Sequence, residues 1–224
     1  MKIRKVISGI LAIVVLGCCV VSAAENDEIN PQFIESERIE RMKNLGIMVG
    51  NENGDFETYR ILTRAELAKI AVKMSEPYFW DYVEAAPQIF VDVDDSHWAY
   101  YYIQYAVQAG IMRGYEDGSF GADSAATVQE AVKVMVTVSG YSPQAEVIGG
   151  YPDGYIKTAS RIGITEGISV KMDESIARNE MAEIAARTLD IPMMIEGLSG
   201  EYIICDGLAQ EHPLLTLAIK NFKE

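Results

Sequence analysis

Apolar residues return along the chain in three stripes that share one register. Leu67, Ile70, Ala71 and Met74 match Ala131, Val134, Met135 and Val138, and then Met181, Ile184, Ala185 and Thr188, each set at i, i+3, i+4, i+7. That spacing puts four side chains on one face of a helix. A helix with one such stripe needs neighbours to cover it, so the three predict units that are stable only together. Ahead of each stripe lies a glycine-bounded pentapeptide: Gly46 to Gly50, Gly110 to Gly114, and Gly163 to Gly167. An offset of 64 residues carries Gly46 onto Gly110, Gly54 onto Gly118, Phe56 onto Phe120, Thr63 onto Thr127 and Glu66 onto Glu130 without insertion. Each copy therefore reads as a helix, a glycine-bearing loop and a second helix, and the expected fold class is all-α.

In the second copy Trp98, Tyr102, Tyr105, Ala106 and Ala109 fall at helical spacing, with Asp95 or Ser96 as N-cap and Gly110 as the stop. Gly50, Gly54, Gly114 and Gly118 are expected at positive φ, where the chain reverses, and Phe56 and Phe120 are expected to plug the loops onto the core. The third copy drops the hairpin, because 14 residues separate Gly163 from Ala177 where 17 separate Gly46 from Thr63. Its Tyr151-Pro152-Asp153-Gly154 precedes the helix and does not replace the missing loop.

The amino terminus has a different pattern. Lys2, Arg4 and Lys5 precede an apolar run from Val6 to Val21, and Ser22, Ala23 and Ala24 follow, the order of a secretory signal peptide cleaved near Ala23 or Ala24. Val15-Leu16-Gly17-Cys18 offers a second route, lipid attachment at Cys18. No transmembrane span is expected after cleavage. Removing residues 1–24 takes the formal charge from -14 to -17, which argues against nucleic acid as a partner. Cys205 then has no disulfide partner, so stability must come from packing. The expected organisation is a signal peptide at 1–24, units at 30–79, 86–145 and 146–192, and a tail at 193–224.

Thr63-Arg64-Ala65-Glu66 forms a capping box at a helix start, as Thr127 and Glu130 do in the second copy. Thr63, Glu66, Thr127, Glu130 and Glu180 are read as structural caps. Capping does not account for Arg64, a cation at the positive end of a helix dipole, and guanidinium and helix start together read as an anion site. Val128 stands where the second copy would carry its arginine, whereas the third keeps Arg178 and Glu180 but has Ala177 for threonine. Trp98 is open to two readings, core or ligand platform. Asp92, Asp94 and Asp95 read either as an N-capping turn or as metal ligands, with the cap preferred.

Phe90-Val91-Asp92-Val93, His97-Trp98-Ala99, Ile103, Gly110-Ile111, Gly114-Tyr115-Glu116-Asp117-Gly118-Ser119-Phe120 and the Thr-x-x-Glu box resemble a complete S-layer homology repeat, and Thr63-Arg64-Ala65-Glu66 matches that family's signature tetrapeptide. The resemblance covers roughly residues 33 to 190. It implies three helix-loop-helix repeats packed as a pseudo-threefold spindle of helical prongs. It also implies grooves between repeats that hold a secondary cell wall polymer, often through pyruvylated amino sugars. On that resemblance Arg64 and Arg178 meet the anion, while Trp98, Gly110, Ile111, Asp117 and Gly118 shape the groove. The first copy departs from the pattern in having only Phe33 and Ile34 where the second has its opening motif. Arg64→Ala or Arg178→Ala is expected to weaken polymer binding with the fold intact. Val128→Arg is expected to restore a cation to a groove around Trp98.

Other classes fit less well. A calcium-dependent dockerin-like module would use Asn51-Glu52-Asn53-Gly54-Asp55, but Phe56 holds the sixth loop position and Leu62 the twelfth. An enzyme would have to draw on Cys205 and His212, in a tail too short to be a catalytic domain, so no catalysis and no cofactor are expected. In that tail Tyr202-Ile203-Ile204-Cys205 reads as a strand and Leu214 to Phe222 as a helix. The reading that results is a secreted anchor on bacterial cell wall polysaccharide, whose protein cargo, if it carries one, is not visible; an adaptor or the remnant of a longer exoprotein is the alternative. The far-UV circular dichroism spectrum is expected to be helical and unchanged by EDTA. Cooperative loss of structure on chelation would restore the calcium-module reading.

Overall fold

A computed structural model describes residues 31–76, 88–168, 171–207 and 215–222, with the side chains of 31–34 and 219 left aside. Residues 1–30, where the signal peptide and the Cys18 attachment point are expected, lie outside the described residues, as does His212. Among the described residues seven α-helices follow in order: α1 Pro31–Asn44, α2 Arg64–Ser75, α3 Tyr100–Gln108, α4 Val128–Val138, α5 Ser142–Val147, α6 Asp153–Arg161 and α7 Arg178–Asp190. A short antiparallel hairpin, β1 Met194–Glu196 and β2 Tyr202–Ile204, and a π-helical turn at Ala218–Phe222 come after them. The fold is all-α in its body, and the strand expected at 202 pairs with one at 194 to make the small addition.

The three striped helices are α2, α4 and α7, and they meet at the centre, α4 touching both of the others. Each is covered by the first helix of the next copy: α3 packs on α2, α6 on α4, and α1 returns to pack on α7. The array thus closes on itself. Just before each central helix the chain is extended, and three residues there bond in a ring. Leu62 N donates to Ile176 O, Ile176 N to Ala126 O, and Ala126 N to Leu62 O, each at 2.9 Å. All three side chains are fully buried, so the pseudo-threefold axis is an apolar point enclosed by amides.

The helix starts are joined across copies as well. Arg64 N and Ala65 N donate to the carbonyls of Ser124 and Ala122, Val128 N and Gln129 N to those of Glu174 and Met172, and Arg178 N and Asn179 N to those of Arg60 and Thr58. These amides would otherwise have no partner within their helices. The next amide is capped by threonine: Glu66 N donates to Thr63 Oγ1 (3.2 Å) and Glu130 N to Thr127 Oγ1 (3.3 Å), while each glutamate accepts from its threonine amide at 2.9 Å. In the third copy Ala177 N still donates to Glu180 (2.7 Å), but there is no hydroxyl to return the bond.

At the far end of each first helix a left-handed glycine stops the helix. Gly46, Gly110 and Gly163 have φ of 66°, 70° and 89°, and the following Ile47, Ile111 and Ile164 amides reach back to Met42, Ala106 and Ala159. The hairpin glycines divide the expected role. Gly54 and Gly118 lie at φ 81° and 83°, whereas Gly50 and Gly114 do not adopt positive φ. Their requirement is space: a Cβ on Gly50 would sit 2.7 Å from Gly54 O, and one on Gly114 would enter the ring of Phe90. A second expectation also changes, because α3 starts at Tyr100 with Ala99 as its cap residue and no side-chain cap. Asp94 instead accepts from Ser96 in a turn, and Asp92 accepts from Phe120 N and Gly121 N at 2.7 Å each, fastening the opening motif to the hairpin. Those amide bonds outweigh the effect of burial and hold the Asp92 carboxyl below its ordinary range.

Ala177 is half-buried at a helix start that is otherwise ready for a cap. Ala177→Thr is expected to stabilise the protein by about 0.5 to 1.5 kcal/mol, and Thr127→Ala to destabilise it by a similar amount, both read from urea denaturation midpoints.

Candidate functional site

Two grooves open between neighbouring copies, and the same positions build both. The larger, about 720 Å³, is lined by Arg64, Gly110, Ile111, Met112, Arg113, Tyr115, Glu130 and Lys133, with Glu146, Tyr151, Tyr155 and Tyr202 opposite. The smaller, about 200 Å³, is lined by Arg178, Ile47, Met48, Val49, Gly50, Asn51, Glu66 and Lys69, with Trp98 opposite. The 64-residue offset relates Ile47 to Ile111, Met48 to Met112, Glu66 to Glu130 and Lys69 to Lys133. Each groove draws on three units: an arginine from one copy, the loop and second helix of the next, and an aromatic from the one after.

Both arginines are buried, and each of their side-chain nitrogens donates within the chain. Arg64 Nε donates to Phe120 O (2.9 Å), one Nη to Arg113 O (2.8 Å) and the other to the Glu130 carboxylate, and the guanidinium lies 4.7 Å and 4.8 Å over the rings of Tyr115 and Phe120. Arg178 repeats this with Phe56 O (2.7 Å), Val49 O (2.7 Å), Glu66 (3.4 Å) and the ring of Phe56 at 4.6 Å. Burial holds the Arg178 guanidinium below its ordinary pKa, with Glu66 opposing that shift. Glu66 itself lies below the ordinary range: burial raises it, but Arg60, the Thr63 amide and Arg178 outweigh burial. Each arginine is thus a post that fixes the hairpin of the neighbouring copy. Removing one would leave two loop carbonyls without their donor and take a cation from a half-buried carboxylate, so the expectation that Arg64→Ala and Arg178→Ala leave the fold intact gives way to a stability cost. The helix-start amides are also occupied, so no free anion cradle exists there.

Val128 is the third member of this set, and it too is fully buried. The copy its side chain would have served has the shortened loop, with Val170 seven residues before Ala177 where Phe56 and Phe120 precede their threonines. The arginine and the full-length loop are missing from the same set. On α7, Glu183 takes the place of Lys69 and Lys133 and pairs with Arg187 (2.6 Å) and Arg38. The expected link between Val128 and Trp98 is corrected by the geometry: Trp98 belongs with Arg178 and Lys69, across the groove of the first copy's loop.

Trp98 stands before α3, 54% exposed, with Lys69 Nζ 5.9 Å from its ring centroid and His97 stacked beside it. That exposure sets the core reading aside. Gly110 and Ile111 line the larger groove, and Ile111 O accepts from Lys133 Nζ (2.9 Å). Asp117 and Gly118 line neither groove: Asp117 accepts from Ser119 in the hairpin tip, and Gly118 O accepts from Val91 N. Asn51 Oδ1 accepts from the amides of Asn53 and Asp55, closing the turn that a calcium loop would have used. Cys205 is buried. Lys69, Arg113, Tyr115, Lys133, Tyr151 and Tyr202 were not singled out from sequence. Lys69 and Lys133 carried a signal, since they obey the same 64-residue offset as the capping glutamates.

Burial, together with a neighbouring cation in each case, Lys73 or Arg113, pushes Lys69 and Lys133 below an ordinary lysine pKa. Both grooves therefore hold a partly desolvated ammonium, in the smaller one beside the Trp98 ring and in the larger one in a lining that includes tyrosines. Val128→Arg would place a cation at a fully buried position in the set whose third loop is three residues shorter in sequence than those that receive Arg64 and Arg178. It is expected to cost roughly 3 kcal/mol in urea denaturation, with no gain in ligand binding.

Comparison with known proteins agrees with this architecture. The S-layer homology domain model matches residues 89–132. The chain is 28% identical over 170 residues to the surface layer protein of Brevibacillus choshinensis, covering 74% of this chain and 15% of that protein. It is 26% identical over 159 residues to a cell surface protein of Thermoanaerobacter kivui, covering 70% of this chain and 20% of that one. It is 36% identical over 90 residues to cell surface glycoprotein 1 of Acetivibrio thermocellus, covering 39% of this chain and 4% of that one. The chain spans a fifth or less of the length of these relatives. The family's pattern at 89–132 thus lies within a closed set of helix-loop-helix units, and over those residues the chain carries a match to the S-layer homology domain.

Proposed function

We propose that the protein anchors at a bacterial cell surface by holding an acidic wall polysaccharide in its two grooves. The observation that carries this reading is the recurrence of one set of positions, a buried arginine post, an Ile-Met loop, a lysine and a facing aromatic, at two places related by the fold. Sugar rings stack on exposed aromatic faces, and a carboxylate on the sugar is met by Lys133 and Arg113 in the larger groove and by Lys69 in the smaller. Pyruvylated amino sugars combine both features. Arg64 and Arg178 act by holding the loops and by lending positive potential, while Trp98, Gly110 and Ile111 form walls and Asp117 and Gly118 shape the hairpin. The units run over 30–79, 86–145 and 146–192, behind a signal peptide at 1–24. The relatives' names as surface layer and cell surface proteins support a cell-surface location.

The protein is expected to sediment with sacculi that retain their secondary polymer and to stay in solution when that polymer has been stripped. Lys133→Ala is expected to lower the affinity about tenfold to a hundredfold, the worth of a charge-assisted hydrogen bond, with an unchanged circular dichroism spectrum. Equal sedimentation with stripped peptidoglycan would overturn the reading.

A further inference from the structure

The larger groove is more than three times the volume of its counterpart, although the two share their loop and helix positions. One difference is Tyr202, which comes from β2 in the tail after the three units. The β1–β2 hairpin is tightly seated. Gly140, at φ 88°, ends α4, and a Cβ there would coincide with the Met194 carbonyl oxygen, so only glycine lets β1 approach this closely. Met194 N donates to Ser139 O (3.0 Å), Tyr141 Oη to Pro192 O (2.7 Å) and Cys205 N to Met193 O (2.9 Å), and Met193, Met194 and Cys205 are buried. Further along, Asn221 Nδ2 donates to Met74 O (2.6 Å) and Ser75 O (3.3 Å), capping the end of α2. The tail is thus part of the spindle, and it leaves Tyr202 52% exposed at the groove.

We propose that the tail hairpin is a ligand-contacting wall of the larger groove, with Tyr202 as the platform for a sugar beyond the one held at Lys133. The inference rests on the wall-polysaccharide reading above. Tyr115, Tyr151 and Tyr202 are all about half exposed around this groove, and a row of aromatic faces with Arg113 and Lys133 suits an acidic oligosaccharide better than a single sugar. The smaller groove, with Trp98 opposite its lysine, suits a shorter segment.

The test uses the full chain and acidic oligosaccharides released by mild acid from polymer-bearing sacculi and sorted by length into short and long fractions, titrated by calorimetry. Tyr202→Ala is expected to weaken the long fraction about three- to tenfold and to leave the short fraction unchanged, and Tyr202→Phe is expected to restore the parent affinity. Lys133→Ala weakens both fractions. If Lys133→Ala weakens binding while Tyr202→Ala changes neither fraction, the hairpin wall is overturned and the groove reading stands. If neither fraction binds the parent chain, or Lys133→Ala has no effect, both fall. Equal weakening of short and long fractions by Tyr202→Ala, not rescued by phenylalanine, would show a structural role and also overturn the proposal.

Discussion

Everything in this molecule depends on three backbone hydrogen bonds around a point. Leu62, Ala126 and Ile176 each give an amide to the next and take one from the last, and their side chains are fully buried. A single extended residue cannot make a sheet, and none of the three segments has a strand partner of its own. Together they satisfy one another, and in doing so they set the angle at which α2, α4 and α7 leave the axis. The cross-copy bonds at the first two helical amides follow from this, because neighbouring segments already lie alongside.

With the helix starts fixed, the arginines have little freedom. Arg64 and Arg178 leave the first position of their helices beside the neighbouring hairpin, where two inward carbonyls, a carboxylate and an aromatic ring receive them. A guanidinium can satisfy several acceptors in one plane and still stack on a ring, which an ammonium cannot do. The groove is then what remains between a pinned hairpin, the lysine one turn along the next helix, and an aromatic from the third unit. Its shape depends on packing far from any ligand.

Much of this was legible in the sequence. The three stripes and the 64-residue offset specify the helices and their equivalence, and the Thr-x-x-Glu boxes mark two of the helix starts accurately. Less legible was the partnership between copies. Sequence comparison stacks equivalent residues, so it places Val128 beside Trp98 in one copy, whereas the fold brings Trp98 to Arg178 from another. The same limit hid the role of Gly50 and Gly114, since a close approach by Gly54 or Phe90 leaves no local trace. Tyr202 lay beyond reach for a different reason: its hairpin depends on Gly140, 62 residues earlier, and nothing in a strand-like tetrapeptide tells which surface it will lie against.

The return of α1 onto α7 separates this array from an open solenoid. An open stack grows by inserting copies and exposes only its ends. A ring of three has no ends, and a fourth copy would find every amide at the axis already committed. Copy number is therefore frozen, and change can enter only within a unit. The third unit shows what that permits: its loop is three residues shorter and alanine stands at its cap, and the second has valine at the arginine position, while the axis still closes through Ala126 and Ile176. Such a scaffold can let one of its faces decay without losing the others.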